Sequence, residues 1–114
     1  MIKHIVMWNM EGETKTNRRQ AAEFLRSRFE GLRDEVPGLL HLEVGLDHSG
    51  VDYACDVVLY AEFESQEALD AYATHPAHLR VKGELGEMRI ARFQVDYAVT
   101  VAALLSRHKE SPHE

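Results

Sequence analysis

The sequence predicts an α+β domain of order β-α-β-β-α-β, the ferredoxin-like plait in which a four-stranded antiparallel sheet carries its helices on one face. Three observations predict it. Apolar residues recur at spacings of two in four separate segments, and they recur at spacings of three and four in the segments between. A length of 114 residues suits a single domain.

The first strand runs from Ile2 to Met10, with Ile5 and Met7 on one face and His4, Val6, Trp8 and Met10 on the other. Thr14 or Thr16 can cap the helix that follows, in which Ala22, Leu25, Phe29, Leu32 and Val36 form one apolar stripe. Pro37-Gly38 is expected to end it, because proline disfavours helical geometry in the residue before it. Leu40, Leu42, Val44 and Leu46 alternate with polar or small residues and predict the second strand. A turn at DHSG, residues 47–50, leads to a third strand expected from about Asp52 to Phe63, with Cys55, Val57, Leu59, Ala61 and Phe63 on its main face. Ser65 is a suitable N-cap for a second helix, with Glu67 in its first turn and Leu69 and Tyr72 inward. His75-Pro76 interrupts that helix, and Pro76 suits the first position of a new one carrying His78, Leu79, Lys82 and Leu85. The last strand, Met88 to Val99, sets Phe93, Val95, Tyr97 and Val99 against Gln94, Asp96 and Ala98. Residues 1–99 read as the domain and 100–114 as a short polar C-terminal tail.

Composition narrows the function classes. A net charge of −6, from 13 basic and 19 acidic residues, argues against binding a phosphate backbone. Arg18, Arg19, Arg26 and Arg28 lie among glutamates on the first helix and read as a solvated face. No segment is apolar for long enough to span a bilayer, and the initial apolar run reads as a strand and not as a signal peptide. The single cysteine, Cys55, cannot form an intramolecular disulfide, so the expected location is cytoplasmic. Two helices cover one sheet face, yet the first strand is apolar on both, and Val58, Tyr60 and Ala98 lie opposite the main stripes. A homodimer with two sheets packed face to face supplies the missing cover.

Four segments carry a family resemblance: MIKHIVMW at the start, YACDVVLYAEFES, QEALDAYATHPAHLRV and FQVDY. Together, over about residues 1 to 97, they resemble the stress-responsive α/β-barrel (Dabb) domain of the dimeric α/β-barrel superfamily. The resemblance implies a homodimer whose sheets form a barrel, with a cavity in each subunit between sheet and helices. One plant cyclase that the resemblance brings in closes a linear polyketide by cofactor-free aldol condensation. Its catalytic histidine of the first strand, tyrosine of the second helical segment and second histidine of His-Pro-x-His match His4, Tyr72 and His78 here. A further histidine of that pattern falls on Val57, where this chain departs from it.

The chemistry of these residues is compatible with the roles the resemblance implies. A neutral His78 imidazole can act as general base near neutral pH, Tyr72 can hold it or a substrate oxygen, and His4 can reach in from the sheet. Such chemistry needs a dry pocket and neither metal nor cofactor. The alternative for His78 is a structural bond to nearby backbone. His75, extended because it precedes proline, reads as a helix cap and not as a metal ligand beside His78. Trp8, Phe24, Phe29, Tyr60 and Phe63 fit the core stripes, Cys55 has no cationic neighbour to activate it, and Asp47, His48 and Asp52 read as a solvated turn. Three function classes stay open: a binding protein with a pocket for a small, mostly apolar organic molecule, a cofactor-free cyclase or isomerase using His78, Tyr72 and His4, and an assembly subunit with an incidental cavity.

Overall fold

The computed structural model describes residues 1–100; the end of the tail anticipated at 100–114 lies outside the described residues. Its elements are β1 (Ile2–Met10), α1 (Lys15–Glu30), β2 (Leu39–Leu46), β3 (Val57–Phe63), α2 (Gln66–Ala73), α3 (Pro76–Leu85) and β4 (Arg89–Ala98). The strands form one antiparallel sheet in the order β2-β3-β1-β4. This is the predicted ferredoxin-like plait, with the second helix broken in two at Thr74-His75.

The core lies between the sheet and the helices. His4, Val6, Trp8 and Met10 of β1 face it, as do Val57, Leu59, Ala61 and Phe63 of β3. Ala22, Leu25 and Phe29 close it from α1, with Trp8 and Phe29 stacked at 5.4 Å between ring centroids. Each fully buried Leu or Phe of this kind stabilises the fold by roughly 1.5–3 kcal/mol. Thr14 caps α1 by accepting from Asn17 N, and Ser65 caps α2 by accepting from Ala68 N.

Four expectations are corrected. The helix α1 ends at Glu30, not at Pro37, because the chain tightens into i→i+3 bonds: Leu32 N donates to Phe29 O and Glu35 N to Leu32 O. Leu32 and Val36 remain buried from that turn. The third strand starts at Val57 and not near Asp52, because the chain before it turns, with Ala54 N donating to Val51 O; Asp56 then joins β1 through its N–H to Trp8 O and its carboxylate, which accepts from Met10 N at 2.7 Å. Leu40 sits at a register shift between Leu39 and His41 and is 57% exposed, outside the alternation that places Leu42 inward. Finally, Phe93, Val95 and Tyr97 pair with Met7, Ile5 and Lys3, so they lie on the outer face of the sheet and Ala98, opposite Ile2, on the inner. They are 54%, 56% and 44% exposed. Arg92, Gln94 and Asp96 point to the helix side instead, where a polar strand is tolerated because β4 is the sheet edge.

Candidate active site

Three elements bring His4, Tyr72 and His78 together. His4 sits on the inner face of β1, opposite Ala61 of β3 and Asp96 of β4. Tyr72 lies in the last turn of α2, buried against Phe63 at 5.0 Å between centroids. His78 occupies the first turn of α3, and its place is set by the break at His75-Pro76. His75 has extended backbone and its Nδ1 accepts from Ala77 N at 3.0 Å, which caps α3 and commits that nitrogen. The break turns α3 so that the Tyr72 and His78 rings meet at 4.2 Å, while Tyr72 and His4 meet edge to face at 6.1 Å.

Hydrogen bonds fix both imidazole tautomers. The His78 Nδ1 lies 3.1 Å from the carbonyl oxygen of Ala73, which can only accept, so Nδ1 carries the proton and Nε2 the lone pair. The His4 Nδ1 lies 2.6 Å from Asp96 Oδ1, and the same reasoning places its proton on Nδ1. Asp96 is itself held, accepting from Gln94 Nε2 on Oδ2 at 2.9 Å. Burial holds the His78 pKa below its ordinary value, opposed in part by the bond to Ala73, so the ring favours its neutral, basic form. Burial pushes the Tyr72 phenol well above its ordinary value, which keeps it a hydrogen-bond donor.

The three side chains line one cavity of about 20 Å³, with Val6, Trp8, Phe29 and Leu59 as its apolar walls and Lys82, Arg89 and Arg92 as its cationic side. Its lining is thus more polar than the sequence predicted, because β4 faces inward with its charged residues. Arrangements of this kind supply two imidazole nitrogens, a phenol donor and a partly dry enclosure, which is the equipment for moving a proton to and from carbon. Val57, where the cyclase pattern has a further histidine, pairs with Trp8 and is not in the cavity lining. Sequence reasoning missed Asp96, Arg89, Arg92 and Lys82 as site residues. A histidine and an aspartate 92 positions apart give no local signal of their pairing.

Known proteins bear on this geometry. The stress-responsive A/B barrel domain (Dabb) family matches residues 2–99. No curated protein matches the sequence. Among solved structures, a dimeric ferredoxin-like protein of unknown function from Jannaschia sp. is 31% identical, with 86% of this chain and 98% of that one covered and a TM-score of 0.65. A dimeric protein of unknown function and ferredoxin-like fold from Bacteroides fragilis is 26% identical, over 86% and 95% of the two chains, with a TM-score of 0.76. A hydroxynitrile lyase from Passiflora edulis is 12% identical, over 88% and 94%, with a TM-score of 0.71, and shares the fold.

Proposed function

The chain belongs to the stress-responsive A/B barrel domain (Dabb) family, and on that premise we propose that it is a homodimer that binds a small organic molecule at His4, Tyr72 and His78 and acts on it by cofactor-free proton transfer. The observation that carries the reading is the convergence of these side chains on one cavity with both imidazole tautomers fixed. In the proposed step, His78 Nε2 takes the proton from a carbon beside a carbonyl. The C–H electron pair becomes the enolate, and Tyr72 donates its O–H to the enolate oxygen. The carbanion then either attacks a second carbonyl, whose alkoxide takes the proton back from His78, which is an aldol closure, or regains that proton at another carbon, which is an isomerisation. His4, with its proton held by Asp96, offers its Nε2 as the second proton-transfer group.

Dimerisation is supported by the uncovered apolar residues of the outer sheet face. Met7, Val58 and Phe93 also line a hollow there of about 650 Å³ that includes Tyr53, and two such sheets packed together would fill it. The dimeric state of the Jannaschia and Bacteroides proteins supports the same arrangement.

A second reading, binding without turnover, is favoured by the bond of His78 to the Ala73 carbonyl, which gives that imidazole a structural role. Space of about 20 Å³ holds little more than a water molecule. A ligand therefore needs the exposed Lys82 and Arg92 side chains of the lining to shift and make room before it can reach His78. A thermal-shift screen of aromatic acids, polyketide mimics and acyl chains, run on wild type, His78→Gln and Tyr72→Phe, tests the site. Compounds that raise the wild-type midpoint and lose their effect in the variants support it. If no compound raises the wild-type midpoint, the site reading falls.

A further inference from the structure

The strand β4 opens with Arg89-Ile90-Ala91-Arg92, and strict alternation would send the two arginines to opposite faces. The register prevents this. Met10 pairs with Arg89 and Asn9 with Ala91, so Ile90 is an inserted residue and the strand regains phase one position later. Both arginines consequently lie on the inner face, with Arg92 opposite Trp8 and the Arg89 guanidinium 5.9 Å from the centre of the Trp8 ring. Lys82 joins them from α3, one turn after His78.

This cluster runs against the charge of the chain, which has 19 acidic and 13 basic residues. Among the described residues, no carboxylate forms an ion pair with Lys82, Arg89 or Arg92, although Arg92 donates to the Gln94 side-chain oxygen. Like charges brought together repel, and burial together with Arg92 holds the half-buried Arg89 guanidinium below its ordinary pKa. A second, independent observation concerns Trp8, whose side chain is part of the lining of the same cavity. Trp8 is 3% exposed, and its Nε1–H is a buried donor with no hydrogen-bond partner. Buried polar groups are rarely left unpaired, and those that are call for a specific reason.

We infer that Arg89, Arg92, Lys82 and the Trp8 Nε1–H form a carboxylate subsite, so that the site's ligand is a small organic acid with its anionic end on β4 and its other end toward Tyr72 and His78. The inference rests on the ligand-binding reading above and adds the class of molecule. Guanidinium groups match a carboxylate in planar, two-bonded geometry, and the indole supplies a further donor from the wall. Combined with the base, the arrangement suits a keto acid whose carbonyl lies at the Tyr72 end.

Trp8 is the only tryptophan, so its fluorescence reports on this subsite directly. The test titrates wild-type protein with hexanoate and with hexanamide, which have the same chain but differ in charge. Hexanoate is expected to saturate the fluorescence change and to bind at least about tenfold more tightly than hexanamide, the worth of one charge-assisted hydrogen bond. Arg89→Gln/Arg92→Gln/Lys82→Gln should bring hexanoate down to the affinity of hexanamide, while Arg92→Lys, which keeps the charge, retains part of the preference. Trp8→Phe, followed by calorimetry, should weaken hexanoate and leave hexanamide unchanged. Equal binding of acid and amide overturns the carboxylate subsite and leaves the ligand site standing, as does a preference that survives in the variant lacking all three cations. Failure of both compounds to bind overturns the subsite, and the thermal-shift screen then decides the ligand site separately.

Discussion

Asp96→Ala should destabilise the protein through its partner across the sheet, the buried His4 of β1. The two side chains form a 2.6 Å hydrogen bond, and His4 is 5% exposed whereas the Asp96 side chain is 30% exposed. Removing the carboxylate leaves two donors. Gln94 Nε2 is exposed and recovers its bond from water, but the buried His4 N–H cannot. An orphaned buried donor costs about 1–3 kcal/mol, and the partial exposure of Asp96 favours the lower half, so we expect about 1.5 kcal/mol. At about 4 °C per kcal/mol for a domain of this size, the midpoint falls by about 6 °C. Asp96→Asn keeps an acceptor and should cost about 0.5–1 kcal/mol. Most informative is the double variant His4→Phe/Asp96→Ala, which removes the donor along with the acceptor and keeps the ring contacts of His4 with Phe63 and Tyr72. It should be less destabilised than the sum of the single changes, by about 1 kcal/mol or more. Urea denaturation with unchanged slope reads wild type, both single variants and the double variant. An Asp96→Ala midpoint equal to wild type, or strict additivity in the cycle, would refute the reasoning.

Other consequences follow from the same geometry. Replacing His75 with Ala removes the cap of α3 and should cost about 1 kcal/mol in denaturation, with a loss of ligand affinity although His78 is untouched. His78 has a folded-state pKa below its unfolded value near 6.5. The unfolded chain therefore takes up the proton first, and stability present above that value declines as pH falls toward the folded pKa. His78→Gln should flatten this part of a stability profile measured between about pH 7 and pH 5, and an unchanged slope would count against a half-buried imidazole held neutral. Phe93→Asp places a charge in the outer apolar face and should yield monomers by light scattering, where wild type gives a mass near twice the 13.0 kDa of one chain. Wild-type monomers at micromolar concentration would contradict the dimer.

Much of the fold is legible in the sequence because its strands and helices obey simple periods. The alternation of His4, Val6, Trp8 and Met10 identifies β1 and its inner face, and His75-Pro76 identifies the helix break. Departures from period carry no comparable mark. Nothing local distinguishes Leu40 or Ile90 as an inserted residue, since a bulge is defined by the partner strand and not by its own side chain. Apolar character also misassigns the faces of β4. Phe93, Val95 and Tyr97 read as a core stripe, yet they face away from the helices, and the inner side of this edge strand is polar. The candidate site divides in the same way. His4, Tyr72 and His78 follow from family resemblance, whereas Asp96 and the arginines emerge only when the long-range pairing of β1 with β4 is known.

Proton transfer at carbon is tested most directly by hydrogen–deuterium exchange. Acetoacetate and a neutral ketone such as 2-hexanone, each incubated in deuterated buffer with the protein, are followed by NMR at the carbon beside the carbonyl. A positioned general base contributes about 10²- to 10⁴-fold, so wild type should accelerate label uptake by at least about 100-fold for a compound that it binds. His78→Gln should return the rate to that of buffer, and Tyr72→Phe should lower it. Exchange at the buffer rate with every compound that wild type binds, or full exchange retained in His78→Gln, would contradict the assignment of His78 as the base.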